Sequence, residues 1–365
     1  MFQRWLLPGF LYQSVLVGGG YATGRELVEF FLSYGPLGGL LGMLLATAIM
    51  SVVAALVFEF ARLTGSINYR HFFQALLGKG WFLYEIGYFL LAVLVISVVA
   101  AAAGEIAKNA FGIPATAGTL LLCAAIVYLV FRGTGLIERV LAGWSILLYV
   151  VYALFIGLFL AKFGGQLGAN LDLEPATNGW AVGALEYVGY NMVTLAVILF
   201  VAAHFRDRRD TVIAGLLSGP IAMAPALLFY LAMVADYQAV QGEPVPSEYM
   251  IRRLDITWLS IIFYITIFGT FIETGTAFIH AINERVAETF ELRGWRFSPM
   301  VRPLIAVAFL AVSVLLADGL GLVSLIAQGY GMLTWYFIAV FLLPLVTYGL
   351  WRIIRASPQP PRAVK

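Results

Sequence analysis

The sequence predicts an all-α integral membrane protein, and three observations support this fold class. First, 62% of the 365 residues are apolar and only 12% are charged, whereas a soluble domain has about 25% charged and under about 50% apolar residues. Second, the apolar residues form long continuous stretches, and third, glycine-rich polar segments interrupt two of these stretches. An excess of apolar residues this large must face lipid, which excludes an ordinary soluble domain.

Hydropathy and turn residues divide the chain into ten predicted transmembrane helices, most of roughly 20 or more residues, which is enough to cross a hydrocarbon core. Helices are expected because only helices and closed barrels satisfy every backbone group in lipid, and these stretches lack the alternation of barrel strands. The predicted spans are residues 8–34, 37–63, 80–111, 116–132, 136–162, 179–203, 212–236, 257–283, 300–317 and 321–350. The start of the chain lacks the compact apolar region of a signal peptide, so we expect it to remain as the first span.

The basic residues predict which way the helices run. With the N-terminus inside, 17 of the 22 Lys and Arg residues fall in cytoplasmic segments, and Arg25 lies within the first span. The basic residues on the outer side are Lys108, Lys162, Arg252 and Arg253. This distribution follows the positive-inside rule, so both termini are predicted to be cytoplasmic in a plasma (inner) membrane. Residues 356–365 are predicted to form a disordered cytoplasmic tail.

Two corresponding spans carry the polar interruptions. The predicted repeats of five helices are residues 1–165 and 166–355. Span one is interrupted in Gly18–Gly24, centred on Gly20, and span six in Tyr187–Asn191, centred on Gly189. An odd number of spans per repeat inverts the second repeat. Glycines let a helix unwind, and the freed backbone groups need a polar cavity. Close helix packing is the alternative role of such glycines, but the matched positions favour a binding site between spans one and six.

This layout resembles the LeuT fold of the amino acid/polyamine/organocation (APC) transporter superfamily. In addition, Gly18–Glu26 followed by Phe30 and Phe31 resembles the opening of YkvI-like membrane proteins. The layout covers nearly the whole chain, whereas the sharp motif is confined to span one. The resemblance implies ten helices in a 5+5 inverted repeat with broken helices 1 and 6, and a transport role.

The two interruptions supply the expected substrate-binding residues. Tyr21, Tyr187 and Tyr190 could form a cation–π wall for an ammonium group or donate hydroxyl hydrogen bonds, although packing is the other interpretation. Asn191 adds an uncharged donor and acceptor. The complete predicted set is Gly18, Gly19, Gly20, Tyr21, Thr23, Glu186, Tyr187, Gly189, Tyr190 and Asn191.

Span eight carries a polar stripe that predicts the coupling site. Thr266, Thr270, Glu273, Ala277, His280 and Glu284 share one helical face. In sodium-coupled members of the fold, one cation site combines span-one carbonyls with span-eight groups. By resemblance, the matching groups are the carbonyls of Val17 and Gly20 together with Thr270, Glu273 and Thr274.

A carboxylate at Glu273 leaves three interpretations open. It could ligate Na⁺ as a hard oxygen donor, or it could carry a proton, because burial favours the neutral form of a carboxyl group. His280 and Glu284 would then lead the proton toward the cytoplasm. In the third interpretation the stripe serves only helix packing.

Charged residues on the outer limbs of spans one and six predict a gate, because ionisable residues inside a span are costly unless paired or hydrated. Arg25, Glu26 and Glu29 lie on span one, and Glu186 lies on span six. Arg25 could pair with Glu29 at i+4 or with Glu186 across the pathway; a fixed structural pair is the alternative. The surplus of carboxylates favours a cationic or amine-bearing solute.

Enzyme motifs are absent from the sequence: it has no His-Glu-x-x-His, phosphate-binding loop or Gly-x-Ser-x-Gly. The single cysteine, Cys123, and three separated histidines predict no resident metal, and no organic cofactor is expected. The net charge of +2 gives no indication of a nucleic-acid partner. We therefore expect a non-enzymatic protein whose partners are a small solute and the lipid bilayer.

The predicted function is secondary active transport of an amino acid, amine or related organic cation by alternating access, coupled to protons through Glu273. A Na⁺-coupled symporter of the same fold is one alternative. A transporter-like solute sensor or receptor subunit without net transport is another.

Overall fold

The computed structural model describes residues 1–132, 134–173, 178–295, 298 and 300–356, without the side chains of residues 132–143, 145 and 292. Of the predicted tail, 356–365, all but Ala356 lies outside the described residues. All the regular secondary structure of the described residues is helical, and these residues form no strand.

The first predicted span is a series of short helices. A π-helical turn at Phe2–Leu6 leads into α1, and two further short helices and a 3₁₀ turn follow before the chain reverses. These elements are α1 (Leu7–Leu16), α2 (Gly19–Thr23), α3 (Arg25–Phe30) and the 3₁₀ turn Leu32–Tyr34. Gly35, with φ of 82°, and Pro36 then begin the next helix, because glycine accepts this backbone angle and proline suits the first turn of a helix.

Long apolar helices and short connecting helices make up the rest of the first half. They are α4 (Pro36–Thr64), α5 (Tyr69–Leu77), α6 (Phe82–Phe111), α7 (Ala115–Arg132), α8 (Thr134–Phe163) and α9 (Leu167–Leu171). The short helix α5 is amphipathic and buries Phe72, Phe73 and Leu76. Its N-cap, Asn68, accepts a hydrogen bond from the His71 N–H group, which fixes the start of this helix.

The second half follows a similar order. After α10 (Trp180–Asn191), 3₁₀ segments cover Met192–Ala196 and Leu199–His204. The helices after them are α11 (Arg208–Val234), α12 (Tyr237–Val240), α13 (Pro246–Leu254), α14 (Thr257–Leu292), α15 (Val301–Ser324), α16 (Gly331–Phe337) and α17 (Leu350–Arg355). Two helical stretches meet at Gly321, where φ is 72° and ψ is 166°, and π-helical turns join α15 to α16 and α16 to α17.

Six helical stretches of the described chain are long and apolar enough to cross a membrane. They are Pro36–Thr64, Tyr69–Phe111, Ile146–Leu171, Arg208–Val234, Thr257–Glu291 and Val301–Arg355. Ala115–Phe131 is apolar but shorter, and the first and sixth predicted spans are interrupted. The last stretch covers the ninth and tenth predicted spans together. Length and composition thus support an integral membrane protein, and the six stretches found among the described residues do not confirm the predicted count of ten spans.

Two groups of helices pack around the interruptions. Helices α1, α4, α10 and α11 pack on one another, whereas α14 packs against α6, α7 and α8. Gly215 and Gly219 let α11 approach the backbone of α4 at Ala55 and Thr47. Near the N-terminus, Asp210 accepts hydrogen bonds from Arg4 at 3.1 Å and from Trp5 at 2.7 Å. These bonds fix the start of the first span to α11.

Candidate binding site at the broken helices

The first interruption is a true break in the helix. Val17 leaves helical geometry with φ of −82° and ψ of 80°, and Gly18 is extended. The chain bends again at Gly24, where φ is 80°. The predicted centre of the interruption at Gly20 is wrong, because Gly20 lies inside α2 and the breaks lie on either side of it. A glycine is needed at position 20 for packing, because a Cβ atom there would overlap the Glu26 carboxylate.

Helix α14 stabilises the first break. The Thr274 hydroxyl accepts a hydrogen bond of 2.8 Å from the Gly19 N–H group, one of the backbone donors that unwinding leaves without a helical partner. On the opposite side of the break, the Tyr152 hydroxyl donates to the Ala22 carbonyl. The Thr23 hydroxyl donates to Gly20 O at 2.7 Å. Hydrogen bonds from side chains of α8, α14 and the broken segment itself therefore stabilise the break.

The second interruption differs from the prediction. Helix α10 continues through Gly189 to Asn191 and then tightens into the 3₁₀ segment Met192–Ala196, so the predicted centre at Gly189 is wrong. Gly189 lies against Thr334 of α16, whose side chain a Cβ atom would overlap. Here glycine serves close packing. The Asn191 amide donates to the Tyr187 carbonyl at 2.9 Å, within the same helix.

Two adjoining cavities lie beside the first break. The smaller, of about 70 Å³, lies against α2 and contacts six of the predicted substrate residues, together with Glu26, Thr274 and Tyr330. These six residues are Gly18, Gly19, Gly20, Tyr21, Tyr190 and Asn191. The larger cavity, of about 280 Å³, shares the wall formed by Gly18 and Thr274. Of the other predicted substrate residues, Thr23, Glu186, Tyr187 and Gly189 line neither cavity.

Glu26 lies in the wall of the smaller cavity. Glu26 is only 6% exposed and lines the smaller cavity together with Gly20. The Tyr190 hydroxyl donates to Glu26 Oε2 at 2.7 Å, and both this carboxylate and the Tyr330 hydroxyl lie beside Gly20. The two tyrosine rings stack in parallel with centroids 4.4 Å apart. Glu26 is predicted at the outer gate; the structure places its carboxylate at the smaller cavity, after the bend at Gly24, and its gating role stays a prediction.

Aromatic side chains pack between α3 and α10, where Phe30 contacts Tyr190 of the smaller cavity's wall. Phe30, Phe31 and Tyr187 are almost completely buried, and the rings of Phe31 and Tyr187 have centroids 4.9 Å apart. The larger cavity lies on the other side of the break, between α1, α6, α14 and the 3₁₀ segment after α10. It therefore extends from the break toward the end of the helical bundle that carries Met1.

Arg25 bonds to an outer loop and to its own helix. One guanidinium nitrogen contacts Glu29 Oε2 at 2.9 Å, and the other donates to the carbonyls of Gln241 and Glu243 at 3.3 and 3.2 Å. The predicted i+4 pair with Glu29 is thus present, whereas the alternative pair with Glu186 is not formed. Glu186 is half-buried.

The polar stripe of α14 reaches the larger cavity only in part. Glu273 and Thr274 line this cavity with Val17. Thr270 of the stripe is buried and donates to the Thr266 carbonyl at 2.9 Å, and neither Thr270 nor His280 lines the larger cavity. Farther along, Glu284 pairs with Arg302 at 2.6 Å. Three of the predicted coupling-site residues therefore meet at the cavity.

Tyr330 is the main site residue that the sequence reasoning did not identify. It follows Gly329 and precedes Gly331 in the last predicted span, and this pair of flanking glycines was the available signal. Leu91 of α6 and Phe278 of α14 also line both cavities, but they are apolar residues in apolar helices. No pattern in the sequence distinguishes such residues from ordinary packing.

The arrangement of helices defines the class of fold. The chain superimposes on a substrate-bound, outward-open Na⁺-coupled sialic acid symporter with a TM-score of 0.62 and 13% identity, covering 96% of this chain and 90% of that one. It superimposes on inward-facing Mhp1 with a TM-score of 0.57 and 13% identity, covering 96% of this chain and 78% of Mhp1. It superimposes on a variant of the Eremococcus coleocola manganese transporter with a TM-score of 0.51 and 14% identity, covering 93% of this chain and 77% of that one. The fold is that of the LeuT-type secondary transporters, which confirms the predicted fold resemblance.

A protein relative supports the second resemblance. The chain is homologous to the uncharacterized membrane protein YkvI of Bacillus subtilis (strain 168), with 23% identity over 288 residues. The alignment covers 76% of this chain and 79% of YkvI. No protein-family model matches the sequence.

Proposed function

We propose that the protein is a secondary active transporter of a small organic solute and works by alternating access. The observation that carries this proposal is the broken helix between α1 and α2 beside two adjoining cavities. A helix interrupted within a membrane protein is tolerated where its backbone faces a polar cavity or protein, and such breaks form the solute sites of secondary transporters. The fold shared with symporters supports the same conclusion.

The proposal includes the complete predicted topology. Ten spans form two inverted repeats of five, residues 1–165 and 166–355, in the plasma (inner) membrane with both termini in the cytoplasm. Its support is that interruptions occur in the first and sixth predicted spans and that Gly321 separates the ninth from the tenth. In this orientation the larger cavity faces the cytoplasm and the Phe31–Tyr187 aromatic contact faces outward.

In the proposed cycle, α1, α4, α10 and α11 rock as a unit against α6, α7, α8 and α14. The bonds from Arg4 and Trp5 to Asp210 keep the start of the first span attached to α11 during this motion. On the outer side, Arg25 holds the loop carbonyls of Gln241 and Glu243, and it would release them when the outer pathway opens.

Coupling is proposed to run through Glu273, which lines the larger cavity beside Thr274 and Val17. A proton on this carboxyl group would neutralise it for the return step. Na⁺ coupling is the second candidate, favoured by the sodium-coupled symporter among the structural neighbours. The Thr274 hydroxyl oxygen already accepts a hydrogen bond from Gly19 N–H. Its second lone pair would therefore be the one that ligates a cation.

Transport in proteoliposomes tests the function. Purified full-length protein is reconstituted, and counterflow of labelled amino acids, amines and polyamines is measured with and without pH and Na⁺ gradients. We expect exchange of at least one solute class and accumulation that a proton gradient drives. Solute binding without any exchange would contradict transport and favour a sensor, whereas accumulation that requires Na⁺ and ignores the proton gradient would contradict proton coupling.

The variant Glu273→Gln sharpens this test. The amide keeps the shape of the side chain but cannot gain or lose a proton, so we expect loss of proton-driven accumulation while counterflow continues. Glu288→Gln is the matched control, because Glu288 is half-exposed and pairs with Arg70 away from the cavities. Normal pH-dependent accumulation by Glu273→Gln would refute its role in coupling.

A further inference from the structure

The smaller cavity holds a buried carboxylate whose charge has no cationic partner in the described chain. Glu26 is 6% exposed, and among the described residues no Lys, Arg or His forms an ion pair with it. Its neighbour Arg25 points the other way, toward Glu29 and the outer loop. A carboxylate in such a place is costly unless a cation or several donors compensate its charge.

Two phenol groups orient this carboxylate. Tyr190 donates to Oε2 at 2.7 Å, the Tyr330 hydroxyl and this carboxylate both lie beside Gly20, and the two tyrosine rings stack on each other. Tyr21 lines the same cavity, and its buried hydroxyl has no hydrogen-bond partner among the described residues. A buried polar group without a partner is rare, and a ligand in the cavity would supply one. The cavity therefore offers an anionic acceptor, an unused hydroxyl and aromatic surface.

The charges around the cavities select against anionic groups. Among the described residues that line the two cavities there is no Lys, Arg or His, whereas Glu26 lines the smaller cavity and Glu273 the larger one. The Gly19 N–H group, a backbone donor at the break, already donates to Thr274. A substrate carboxylate would thus meet two acidic side chains and no basic one. Beyond the smaller cavity, Tyr88, Val193 and Phe278 give the larger cavity an apolar lining.

We propose that Glu26 is the residue that binds the ammonium group of the substrate and that the substrate class is small amines with an apolar body and no carboxylate. The ammonium group occupies the smaller cavity, against Glu26 and the tyrosine hydroxyls, where it makes charge-assisted hydrogen bonds. The apolar part occupies the larger cavity. This inference rests on the proposed transport function, since it assigns the substrate of that same site.

Ligand-dependent thermal stabilisation of the full-length protein tests the assignment. The probes are 2-phenylethylamine, its neutral counterpart 2-phenylethanol, and phenylalanine, which adds a carboxylate to the amine. We expect 2-phenylethylamine to half-saturate the wild type at a concentration at least about tenfold lower than either other probe, because a charge-assisted hydrogen bond is worth roughly tenfold or more. Phenylalanine binding as well as the amine would overturn the proposed substrate class.

Variants then connect the preference to one residue. Glu26→Gln is expected to lose the preference for the amine over the alcohol. It should still bind 2-phenylethanol, which would show that the variant is folded. Glu26→Asp, which keeps the charge, is expected to retain the preference. The matched control is Glu105→Gln, because Glu105 lines a separate cavity between α6, α7 and α15. An unchanged amine preference in Glu26→Gln would overturn the role of Glu26, even if that variant altered the pH dependence of transport.

The two proposals fail differently. Stabilisation by the amine that depends on Glu26, without counterflow, refutes transport and leaves the binding site in place. Counterflow of solutes without any preference for amines refutes the binding assignment and leaves the transport function in place. The wild-type probe series needs no variant, so it decides the substrate class even if Glu26→Gln does not fold.

Discussion

The chain leaves helical geometry completely at Gly18 in the first span, whereas in the sixth it only tightens into a 3₁₀ segment after Asn191. The first break borders both cavities. In the sixth span, Gly189 lies inside a regular helix and against Thr334. The two glycine clusters look alike in the sequence but serve different purposes. One allows the backbone to unwind, and the other allows a neighbouring helix to approach.

Gly24→Ala is expected to have the largest effect, because it acts on the backbone of the first break. The residue has φ of 80°, which strains any side chain, and a Cβ atom would overlap Phe229 and Met233. We expect a loss of about 2–4 kcal/mol in the free energy of unfolding, the sum of left-handed strain and overpacking. Thermal and denaturant unfolding in detergent measures it.

Gly112→Ala is the matched control for this variant. Gly112 has φ of 66°, but a Cβ atom there would have nothing within 4 Å, so only the strain remains. We expect about 1 kcal/mol of destabilisation. Equal losses in the two variants would show that packing around Gly24 contributes nothing to the break.

Gly189→Ala is expected to cost about 1–3 kcal/mol through overlap with the Thr334 side chain. Thr334→Ser removes the methyl group but keeps the hydroxyl that donates to Glu186 O at 2.6 Å. The double variant should therefore recover much of the lost stability, which a double-mutant cycle measures. If instead Gly189→Ala abolished solute binding without changing stability, the sixth-span glycine would belong to the site after all.

The sequence predicted an all-helical membrane protein and the interruption of its first span, but not how the helices pack around that interruption. Apolar stretches and glycine clusters are local patterns, so they located the helices and the interruption of the first span. The inward turn of Glu26 depends on the backbone angle of Gly24, and Tyr330 reaches the same cavity from the last predicted span. Contacts between residues so distant in sequence depend on helix packing, which no local pattern specifies.

Thr274→Val tests the support of the first break from α14. The substitution removes the acceptor for Gly19 N–H and leaves a buried donor unsatisfied, so we expect a loss of about 1–3 kcal/mol in unfolding free energy. Thr270→Val, one turn away, removes only a bond from the side chain to its own helix at Thr266 O and should cost less than about 1 kcal/mol. Equal losses would argue against a specific role for Thr274 at the break.

Gly18→Ala is expected to have the smallest effect on stability, although Gly18 is the residue where the helix breaks. Its φ of −114° suits any residue, and a Cβ atom would lie 3.4 Å from Thr274 Oγ1, an ordinary contact. We expect a change within about 0.5 kcal/mol, the usual range for a substitution without strain or overlap. Because Gly18 lines both cavities, the added methyl group should instead weaken solute binding. A large loss of stability with normal binding would reverse the roles assigned here to Gly18 and Gly24.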